Sequence, residues 1–353
     1  MNQNHLSRIK IRGYKAFGDC DVKLENLNVL IGPNGGGKSN FMGFFDLLNH
    51  LFSGKLGEYV ERNGGPDALL RFGRMVTREI SGELFFGSKS YRFAISPADD
   101  DRMVFSDECV YHDGQLAFSA GSGHFETRVR EFDSEIPNVR YQMFHFQDVS
   151  ASSPIRRLHP LNGGGVLSPD GRNLASYLYA LKEEHNSDYQ RVLKRLQIIA
   201  PFFEDFYLKP DEDDPGRISL RWLERGHSEP LGADMISDGM LRFACILAVF
   251  RYPKERRPDI LLIDEPDLGL HPKASELLFH IVYLVSNYRQ VVISTQSSAL
   301  LDKFSAEDIL VVDRKDGSTV MNRLDVDELE EWLANRTISE IWANSIIGGQ
   351  PAL

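Results

Sequence analysis

The chain has 353 residues, a length that fits one large domain or two of ordinary size. Apolar residues make up 42% of it and charged residues 26%, the composition of a globular protein with a substantial core. The formal net charge of -11 argues against a general coat for nucleic acid. It leaves room for a local basic groove, or for contacts made only by an assembled complex.

Cysteine content and apolar runs indicate the compartment. The three scattered cysteines predict neither a disulfide framework nor a structural zinc site. The N-terminus is polar and lacks the apolar core of a signal peptide. The longest apolar run, around residues 244–250, is too short to cross a bilayer. We therefore expect a cytoplasmic protein without membrane contact.

The first part of the chain predicts two kinds of structure: short strands followed by a helix, and then an antiparallel sheet. Short strands at 6–12, 22–24 and 27–31 are followed by a helix with an apolar stripe over 41–52. Residues from about 75 to 120 alternate with period two, which predicts an antiparallel sheet. Within that stretch, Asp113-Gly114 is a strong signal for a hairpin turn.

The middle of the chain predicts a short helical hairpin. Ser168-Pro169 is typical of a helix start, and that helix could continue through Glu184. A second helix is predicted over 189–200, ending before Pro201.

The last part returns to an α/β texture. DILLIDEP and QVVIST read as buried strands with a helix between them over 273–286, and Asp316-Gly317 predicts a closing hairpin.

The stretch IGPNGGGKSN at 31–40 fits the phosphate-loop pattern through Gly32, Gly37, Lys38 and Ser39, between a strand and a helix. Glycines let consecutive N–H groups converge on phosphate oxygens. The lysine neutralises the β- and γ-phosphates, and the serine hydroxyl binds Mg²⁺. We therefore predict binding of ATP with Mg²⁺. The predicted nucleotide-binding residues are Gly32, Asn34, Gly35, Gly36, Gly37, Lys38, Ser39 and Asn40.

A pair of acids follows the buried strand ILLIDEP. Asp264 ends the strand, where a carboxylate can bind Mg²⁺ at the edge of the sheet. Glu265 comes next and can orient or deprotonate a water molecule. Together with a phosphate loop, this pair indicates an ATP hydrolase with Glu265 as the catalytic base.

The order of these motifs resembles the ABC-type ATPases, in particular the branch of SMC, RecF and the overcoming-lysogenization-defect proteins. The stretches that carry the resemblance are IRGYKAFGDCDVKLENLNVLIGPNGGGKSN, LGADMISDGMLRF, EPDLGLHP, STQSSALLD and IIGGQP. They are most similar to compact prokaryotic ATPases from defence loci. The resemblance covers nearly the whole chain and is weakest over 75–230.

The resemblance implies an α/β fold: a P-loop NTPase of the ABC-ATPase head type, with an antiparallel β subdomain, a helical lobe and no long coiled coil. We expect a single ABC-type ATPase domain over 1–353. Within it, residues 1–146 and 231–353 should form the nucleotide-binding core, and residues 147–230 the helical lobe.

The resemblance also gives a role to Ser237 in MISDGMLRF, at the position of the signature motif. In such proteins the signature helix meets the γ-phosphate of ATP held by a second copy, which implies that Ser237 binds the partner subunit's ATP. Ser237-Asp238-Gly239 departs from the commoner Ser-Gly-Gly form, so a simple helix cap remains the alternative.

Four more positions follow from the resemblance, and three of them have an alternative. Gln296 stands at the catalytic switch position usually held by histidine. A glutamine can hydrogen-bond a phosphate oxygen or water but cannot become a cation, so we expect hydrolysis that is slow or needs a partner. Gln147 would contact Mg²⁺ and the attacking water, unless it is an ordinary loop residue. Lys15 could approach the nucleotide or be solvated. His271 could contact the partner subunit or only start a helix.

The predicted function is an ATP-driven dimeric switch in DNA maintenance or anti-phage defence. Its partners would be a second copy, as a homodimer or higher even oligomer, a separate effector such as a nuclease, and DNA when assembled. Too few residues follow Asp313 for the metal-binding domain of the overcoming-lysogenization-defect nucleases. The alternative is an ATP-bound scaffold with little turnover. A transporter subunit fits the signature less well.

Overall fold

The computed structural model describes residues 5–132, 139–252 and 257–350. These residues fall into two compact units. The first unit is drawn from Met1–Gln142, Pro258–Leu262 and Ser286–Leu353, and the second from Met143–Arg257 and Ile263–Val285. The predicted division into a nucleotide-binding core and a helical lobe stays a prediction. No helix of the described ranges is long and apolar enough to cross a membrane.

The first unit contains a six-stranded antiparallel sheet. Its strands are β1 (Arg8–Arg12), β2 (Asp19–Lys23), β4 (Ile80–Phe86), β5 (Lys89–Pro97), β6 (Met103–His112) and β7 (Gln115–Ser119). Their order is β2-β1-β4-β5-β6-β7. The predicted hairpin between β6 and β7 is confirmed: Asp113 and Gly114 both have positive φ, at 49° and 77°, as a two-residue hairpin turn requires.

A second, mixed sheet is built around β3. Its strands are β3 (Leu27–Ile31), β8 (Tyr141–His145), β14 (Ile260–Asp264), β15 (Gln290–Ser294), β16 (Ile309–Lys315) and β17 (Ser318–Arg323), in the order β17-β16-β3-β15-β14-β8. β3 is parallel to both β15 and β16, with Val29 opposite Ile293 and Ile309. Every residue of β3, β14 and β15 is buried, as expected for a sheet covered on both faces.

Helix α1 (Lys38–Phe52) packs against the antiparallel sheet of the first unit. Phe44 of the helix stacks on Phe93 of β5 with ring centres 6.2 Å apart. At Gly82 of β4, an added methyl group would lie 2.5 Å from the Phe93 ring, so only glycine fits below these aromatic rings. The helices of this unit are α1 (Lys38–Phe52), α2 (Leu56–Arg62), α3 (Pro66–Leu69), α8 (Ser298–Leu301), α9 (Val326–Leu333) and α10 (Ile338–Ala343).

The second unit combines helices with short strands. Its helices are α4 (Leu174–Glu184), α5 (Asn186–Ile199), α6 (Asp238–Val249) and α7 (Pro272–Ser286). β10 (Phe203–Phe206), β12 (Arg221–Glu224) and β13 (Leu231–Gly232) form one antiparallel sheet, and β9 (His159–Pro160) pairs with β11 (Arg217–Ile218). Phe203 stacks on Trp222 at 5.5 Å between ring centres, so β10 and β12 share an aromatic core.

The start predicted for α4 at Ser168-Pro169 is wrong. Residues 168–171 form a turn in which the Gly171 amide donates to the Ser168 carbonyl at 2.9 Å. Gly171 has a φ of 73°, outside the range of a right-handed helix. An added methyl group there would also lie 2.9 Å from the Cys245 Sγ. This glycine therefore delays the helix until Leu174, while the end of α5 before Pro201 is as predicted.

Candidate nucleotide-binding site

The phosphate loop joins β3 to α1, and packing requires glycine at two of its positions, Gly32 and Gly37. A methyl group added at Gly32 would lie 2.1 Å from the Val312 carbonyl oxygen. One added at Gly37 would lie 2.3 Å from the Thr319 Oγ1. Both glycines also have positive φ, at 150° and 121°. The β16–β17 hairpin therefore packs against the loop at two glycines of the phosphate-loop pattern and leaves no room there for a side chain.

The opposite side of the loop is open. No atom lies within 4 Å of a methyl group added at Gly35, and Asn34, Gly35 and Ser39 are exposed. Gly37 precedes the first residue of α1 and provides no side-chain cap for the helix N–H groups. A helix start of this kind attracts anions through its dipole and its N–H groups. The loop thus fits a phosphate group.

Lys38 lies inside the loop, with only 6% of the residue exposed. Its Nζ donates hydrogen bonds to the carbonyl oxygens of Gly32 at 2.6 Å and Pro33 at 3.0 Å. The ammonium is therefore held by the backbone of the loop that it is predicted to serve. Asn40, also in the predicted set, is half-buried in the first turn of α1.

Thr319 of β17 is a supporting residue that sequence reasoning missed. It is fully buried, and its Oγ1 donates to the Gly36 carbonyl at 2.8 Å. Thr319 therefore fixes both Gly36, through this bond, and Gly37, through contact. Nothing in the local sequence marks this residue, because it lies 283 positions from Gly36.

Replacing Thr319 with valine should weaken nucleotide binding. The near-isosteric change leaves the Gly36 carbonyl without its donor, at a cost of about 1–3 kcal/mol in the free energy of unfolding. We expect calorimetry to give a lower ATP affinity. The control is Ser318→Ala, which removes a hydroxyl bonded to the Gly18 amide on the same hairpin. That variant should lose stability without a matching loss of affinity, and equal ATP affinities for both variants would contradict this role of Thr319.

Gln296 contacts the phosphate loop directly. Its Nε2 donates to the Asn34 Oδ1 at 2.9 Å. Gln296 follows β15, and the next residue, Ser297, caps α8 by accepting from the Leu300 amide at 3.3 Å. Within the first unit, the structure thus brings the predicted switch-position residue to the loop.

The segment 346–350 packs on the first glycine of the loop. A methyl group added at Gly349 would lie 3.5 Å from the Cα of Gly32 and 2.7 Å from the Val311 Cγ1. The Gly349 amide donates to the Asp313 Oδ2 at 3.1 Å, and its carbonyl accepts from the Trp342 Nε1 at 3.0 Å. Two anchors on different elements therefore hold this segment close to the loop.

Lys15 lies beside the aromatic ring of Tyr14. It adopts a φ of 46°, and its Nζ lies 5.4 Å from the ring centre of Tyr14. Burial lowers the pKa of its ammonium, while the charge of Asp46 opposes that change. Its predicted approach to the nucleotide stays a prediction.

The predicted catalytic acids lie in the second unit. Asp264 ends β14 and is 8% exposed. Glu265 has a φ of 46°, in the left-handed region that residues other than glycine rarely adopt. Such a conformation costs about 1–3 kcal/mol and is found most often at functional sites. The strained backbone of Glu265 therefore favours a functional role for this residue.

Ser237 begins α6, as its sequence context predicts. Its Oγ accepts a hydrogen bond from the Met240 amide at 3.3 Å, and the residue is exposed. The helix behind it is buried from Leu241 to its end at Val249. Its predicted role toward the nucleotide of a second subunit stays a prediction.

Arg156 supports the segment before Ser237 and was missed by sequence reasoning. Its side chain is 6% exposed and pairs with Asp238 at 2.6 Å. Its Nη1 donates to the carbonyls of Ala233 and Ile236, and its Nε donates to the Val149 carbonyl at 2.9 Å. Asp238 is the residue that departs from the Ser-Gly-Gly form. The aspartate that replaces the usual glycine is thus paired with Arg156.

A second missed arginine lies within α6. The Nε of Arg242 donates to the Phe146 carbonyl at 2.7 Å, its Nη2 to the Gln147 carbonyl at 3.1 Å and its Nη1 to the Leu268 carbonyl. Burial lowers the pKa of this guanidinium, and the charge of Asp238 opposes the change. An arginine amid the apolar run LRFACILAVF is the signal that could have revealed it.

These contacts place the remaining predicted residues. Arg242 fixes the backbone of Gln147, whose side chain is exposed, and ties it to the segment that follows Glu265. His271 is exposed at the start of α7, where its Nδ1 accepts from the Lys273 amide at 3.3 Å. A helix-start role for His271 is thus observed, and its contact with a partner stays a prediction.

Comparison with known proteins gives the family. No curated protein matches the chain in sequence. A family model does match, over residues 27–302; its description is "AAA domain, putative AbiEii toxin, Type IV TA system".

Three solved head-domain structures resemble the chain in fold. The Smc head bound to the C-winged helix domain of ScpA has 15% identity and a TM-score of 0.62, over 93% of this chain and 99% of that chain. The Smc head with an extended coiled coil, bound to the C-terminal domain of ScpA from Pyrococcus furiosus, has 15% identity and a TM-score of 0.57, over 94% and 98%. The SMC head from Thermotoga maritima has 12% identity and a TM-score of 0.50, over 91% and 100%.

The family match covers most of the chain and includes the phosphate loop, the signature segment and the acid pair. The fold predicted from the sequence, an α/β ABC-ATPase head without a long coiled coil, is confirmed by the likeness to the SMC heads. The chain therefore belongs to the AAA-domain family of P-loop ATPases that this model describes, and it has the fold of an SMC-type ABC ATPase head.

Proposed function

We propose that the chain is a Mg²⁺-dependent ATPase that dimerises around ATP and acts as a cytoplasmic switch in DNA maintenance or anti-phage defence. The observation that carries the proposal is the phosphate loop, in which packing requires Gly32 and Gly37, one face is open and Lys38 is held within the loop. Membership of a P-loop ATPase family supports the same reading.

The loop's donors fit a nucleotide. The N–H groups at its open face and the Lys38 ammonium would hold the phosphates, and the exposed Ser39 hydroxyl is available for Mg²⁺. Asp264 would supply a carboxylate, and Gln147 an amide oxygen. Bound Mg²⁺ neutralises negative charge on the phosphate oxygens. Among the described residues, no three or more His, Cys, Asp or Glu side chains form a metal cluster, and Mg²⁺ typically takes few protein ligands beside phosphate and water.

The proposed chemistry gives a separate role to each of three side chains. Lys38 offsets charge that develops on the phosphates, and the Glu265 carboxylate accepts a proton from the attacking water. Gln296 would hydrogen-bond a phosphate oxygen or that water. Because a glutamine amide stays neutral, we propose that turnover is slow without a partner.

The dimer follows from the second anion site. Ser237 and the start of α6 offer a hydroxyl and a helix dipole to a phosphate. We propose that they serve the ATP of a second copy, so that the active form is a homodimer or a higher even oligomer.

Ser237→Arg tests this arrangement. The bulky side chain should block the composite interface and leave the chain's own phosphate loop intact. Alone, the variant should bind ATP but neither close nor hydrolyse it. Mixed with Lys38→Ala, it forms dimers with one site that has native Lys38 and native Ser237, so ATPase activity should return. Turnover and crosslinking of the closed dimer are the measurements.

The mixing experiment has a clear negative outcome. If Ser237 served its own chain's ATP, each subunit would be defective within itself and mixing would restore nothing. Failure of both readouts with subunit exchange confirmed would contradict the proposal. The matched control is Ser228→Arg, an exposed serine of the same unit, which should stay active alone.

A separate effector completes the proposed switch. The family description names a toxin of a type IV toxin–antitoxin system, and two of the similar head domains are bound to ScpA domains. These names support a protein partner and a role in defence. We propose that any nuclease activity belongs to another polypeptide, and that DNA is contacted when the complex assembles. Robust metal-dependent DNA cutting by the purified chain would contradict this.

A scaffold that holds ATP is the second candidate. The observation that favours it is Gln296, which bonds Asn34 of the loop and has no cationic form. Steady-state ATPase measurements separate the two functions. A scaffold predicts little turnover even with partner and DNA present, whereas a switch predicts stimulation.

A further inference from the structure

We propose that Arg156 is a positioning residue for the nucleotide of the second subunit, acting through the backbone before Ser237. The inference rests on the proposed function, because it needs Ser237 to work across a dimer. Arg156 follows the Gln147 segment in sequence. It nevertheless serves the ATP of the partner subunit and not the ATP of its own chain.

The contacts of Arg156 converge on the Ser237 segment. Of its four acceptors, three belong to residues 233–238: the carbonyls of Ala233 and Ile236, and the carboxylate of Asp238. Ile236 and Asp238 are the two residues that flank Ser237. One guanidinium therefore fixes the chain on both sides of the serine, and the planar geometry of its donors fixes direction as well as distance.

The fourth acceptor provides the anchor. The Nε of Arg156 donates to the Val149 carbonyl at 2.9 Å, and the hydroxyl of Ser153 donates to the Asp148 carbonyl at 2.8 Å. The short helical turn at Pro154–Arg156 thus holds the arginine in place. With 6% of its side chain exposed, Arg156 is a buried cation whose loss leaves several acceptors without donors.

Asp238 explains why this signature segment departs from Ser-Gly-Gly. A glycine at 238 would leave the buried Arg156 without an ionised partner, and a buried charge is stable only when it is paired. Asp238 itself is 64% exposed and lies in the first helical turn, where a carboxylate also favours the helix dipole. Arg156 and Asp238 therefore act as a pair, in which the arginine makes the hydrogen bonds that position the 233–238 segment.

The test uses the same logic of mixing subunits. Arg156→Gln should keep the affinity of its own phosphate loop for fluorescent ADP within about twofold and lower ATPase activity on the order of 10²-fold, the effect of a small misplacement. Mixed with Lys38→Ala, it should regain activity, because one composite site then has native Lys38 opposite a native Ser237 segment. Restored turnover is a readout that general destabilisation does not give.

Two further variants control for folding. Arg157→Gln removes the neighbouring exposed arginine and should be active alone. Arg156→Lys keeps the charge but not the planar set of donors, so it should rescue folding and restore only part of the activity. If Arg156→Gln does not fold, Arg156→Lys is mixed with Lys38→Ala in its place.

The outcomes separate this inference from the proposed function. If mixing rescues Ser237→Arg but not the Arg156 variants, Arg156 serves its own chain and the inference is overturned. Full activity of Arg156→Gln alone would overturn it as well. If mixing fails to rescue Ser237→Arg with exchange confirmed, the dimer arrangement itself is wrong.

Discussion

Lys38→Ala should abolish tight ATP binding. Lys38 is the one cationic residue of the stretch 31–40, and its ammonium is bonded to the Gly32 and Pro33 carbonyls. Each charged hydrogen bond to a phosphate contributes about 1.5–3 kcal/mol, so losing two should weaken binding roughly 10²–10⁴-fold. Titration calorimetry with ATP and Mg²⁺ is the measurement.

An exposed lysine of the same unit provides the control. Lys55 has a side chain that is 58% exposed and pairs with Glu58 at 3.4 Å, so Lys55→Ala should bind ATP normally. Circular dichroism and denaturation show whether Lys38→Ala folds, because the Gly32 and Pro33 carbonyls lose a donor in this variant. An affinity equal to that of the unmodified chain would mean that the phosphate loop has been misread.

The second large effect is expected for Glu265→Gln, which should bind ATP with Mg²⁺ yet lose most turnover. The amide keeps the shape of the side chain but cannot accept the proton of the attacking water. A general base typically contributes on the order of 10²–10⁴-fold to the rate. Glutamine at 265 must adopt the same left-handed backbone, so the two forms share that strain. Single-turnover hydrolysis separates the chemical step from binding.

The same variant should accumulate as a closed, ATP-bound dimer, which sedimentation can detect. Glu276→Gln, an exposed glutamate of α7 in the same unit, is the matched control and should hydrolyse ATP at the native rate. If Glu265→Gln also does so, another residue is the base.

Local signals predicted the parts of the fold that depend on adjacent residues. Asp113-Gly114 and Asp316-Gly317 both form hairpin turns with positive φ, because few other residues adopt that backbone cheaply. The phosphate loop is predictable for the same reason, since its glycines and lysine lie within one short stretch. Ser237 starts its helix, as a serine before an apolar helix predicts.

Contacts between distant residues could not be predicted in this way. Arg156 bonds the Ala233 carbonyl across 77 positions, and Arg242 bonds the Phe146 carbonyl across 96. Nothing near Arg156 in sequence distinguishes it from Arg157, which is exposed. Only the tertiary fold decides which of two adjacent arginines becomes a buried support.

A long-range contact also corrected a local signal. Ser168-Pro169 is a good helix start by composition, but Gly171 packs against Cys245 in a left-handed turn and the helix waits until Leu174. Tertiary packing therefore overrides the local preference. The roles of Gln147, His271 and Lys15 toward nucleotide or partner stay predictions, since the nucleotide and the partner lie outside the chain.

The position of Gly349 near Gly32 makes Trp342 an intrinsic fluorescent reporter of the phosphate loop. The indole Nε1 of Trp342 donates to the Gly349 carbonyl, and a methyl group added at Gly349 would lie 3.5 Å from the Cα of Gly32, the first glycine of the phosphate loop. Any shift of the loop that displaces Gly349 changes the surroundings of this fluorophore. The chain has only two other tryptophans, Trp222 in the second unit and the partly exposed Trp332. With both replaced by phenylalanine, the emission of Trp342 would follow occupancy of the loop in real time, without any added dye.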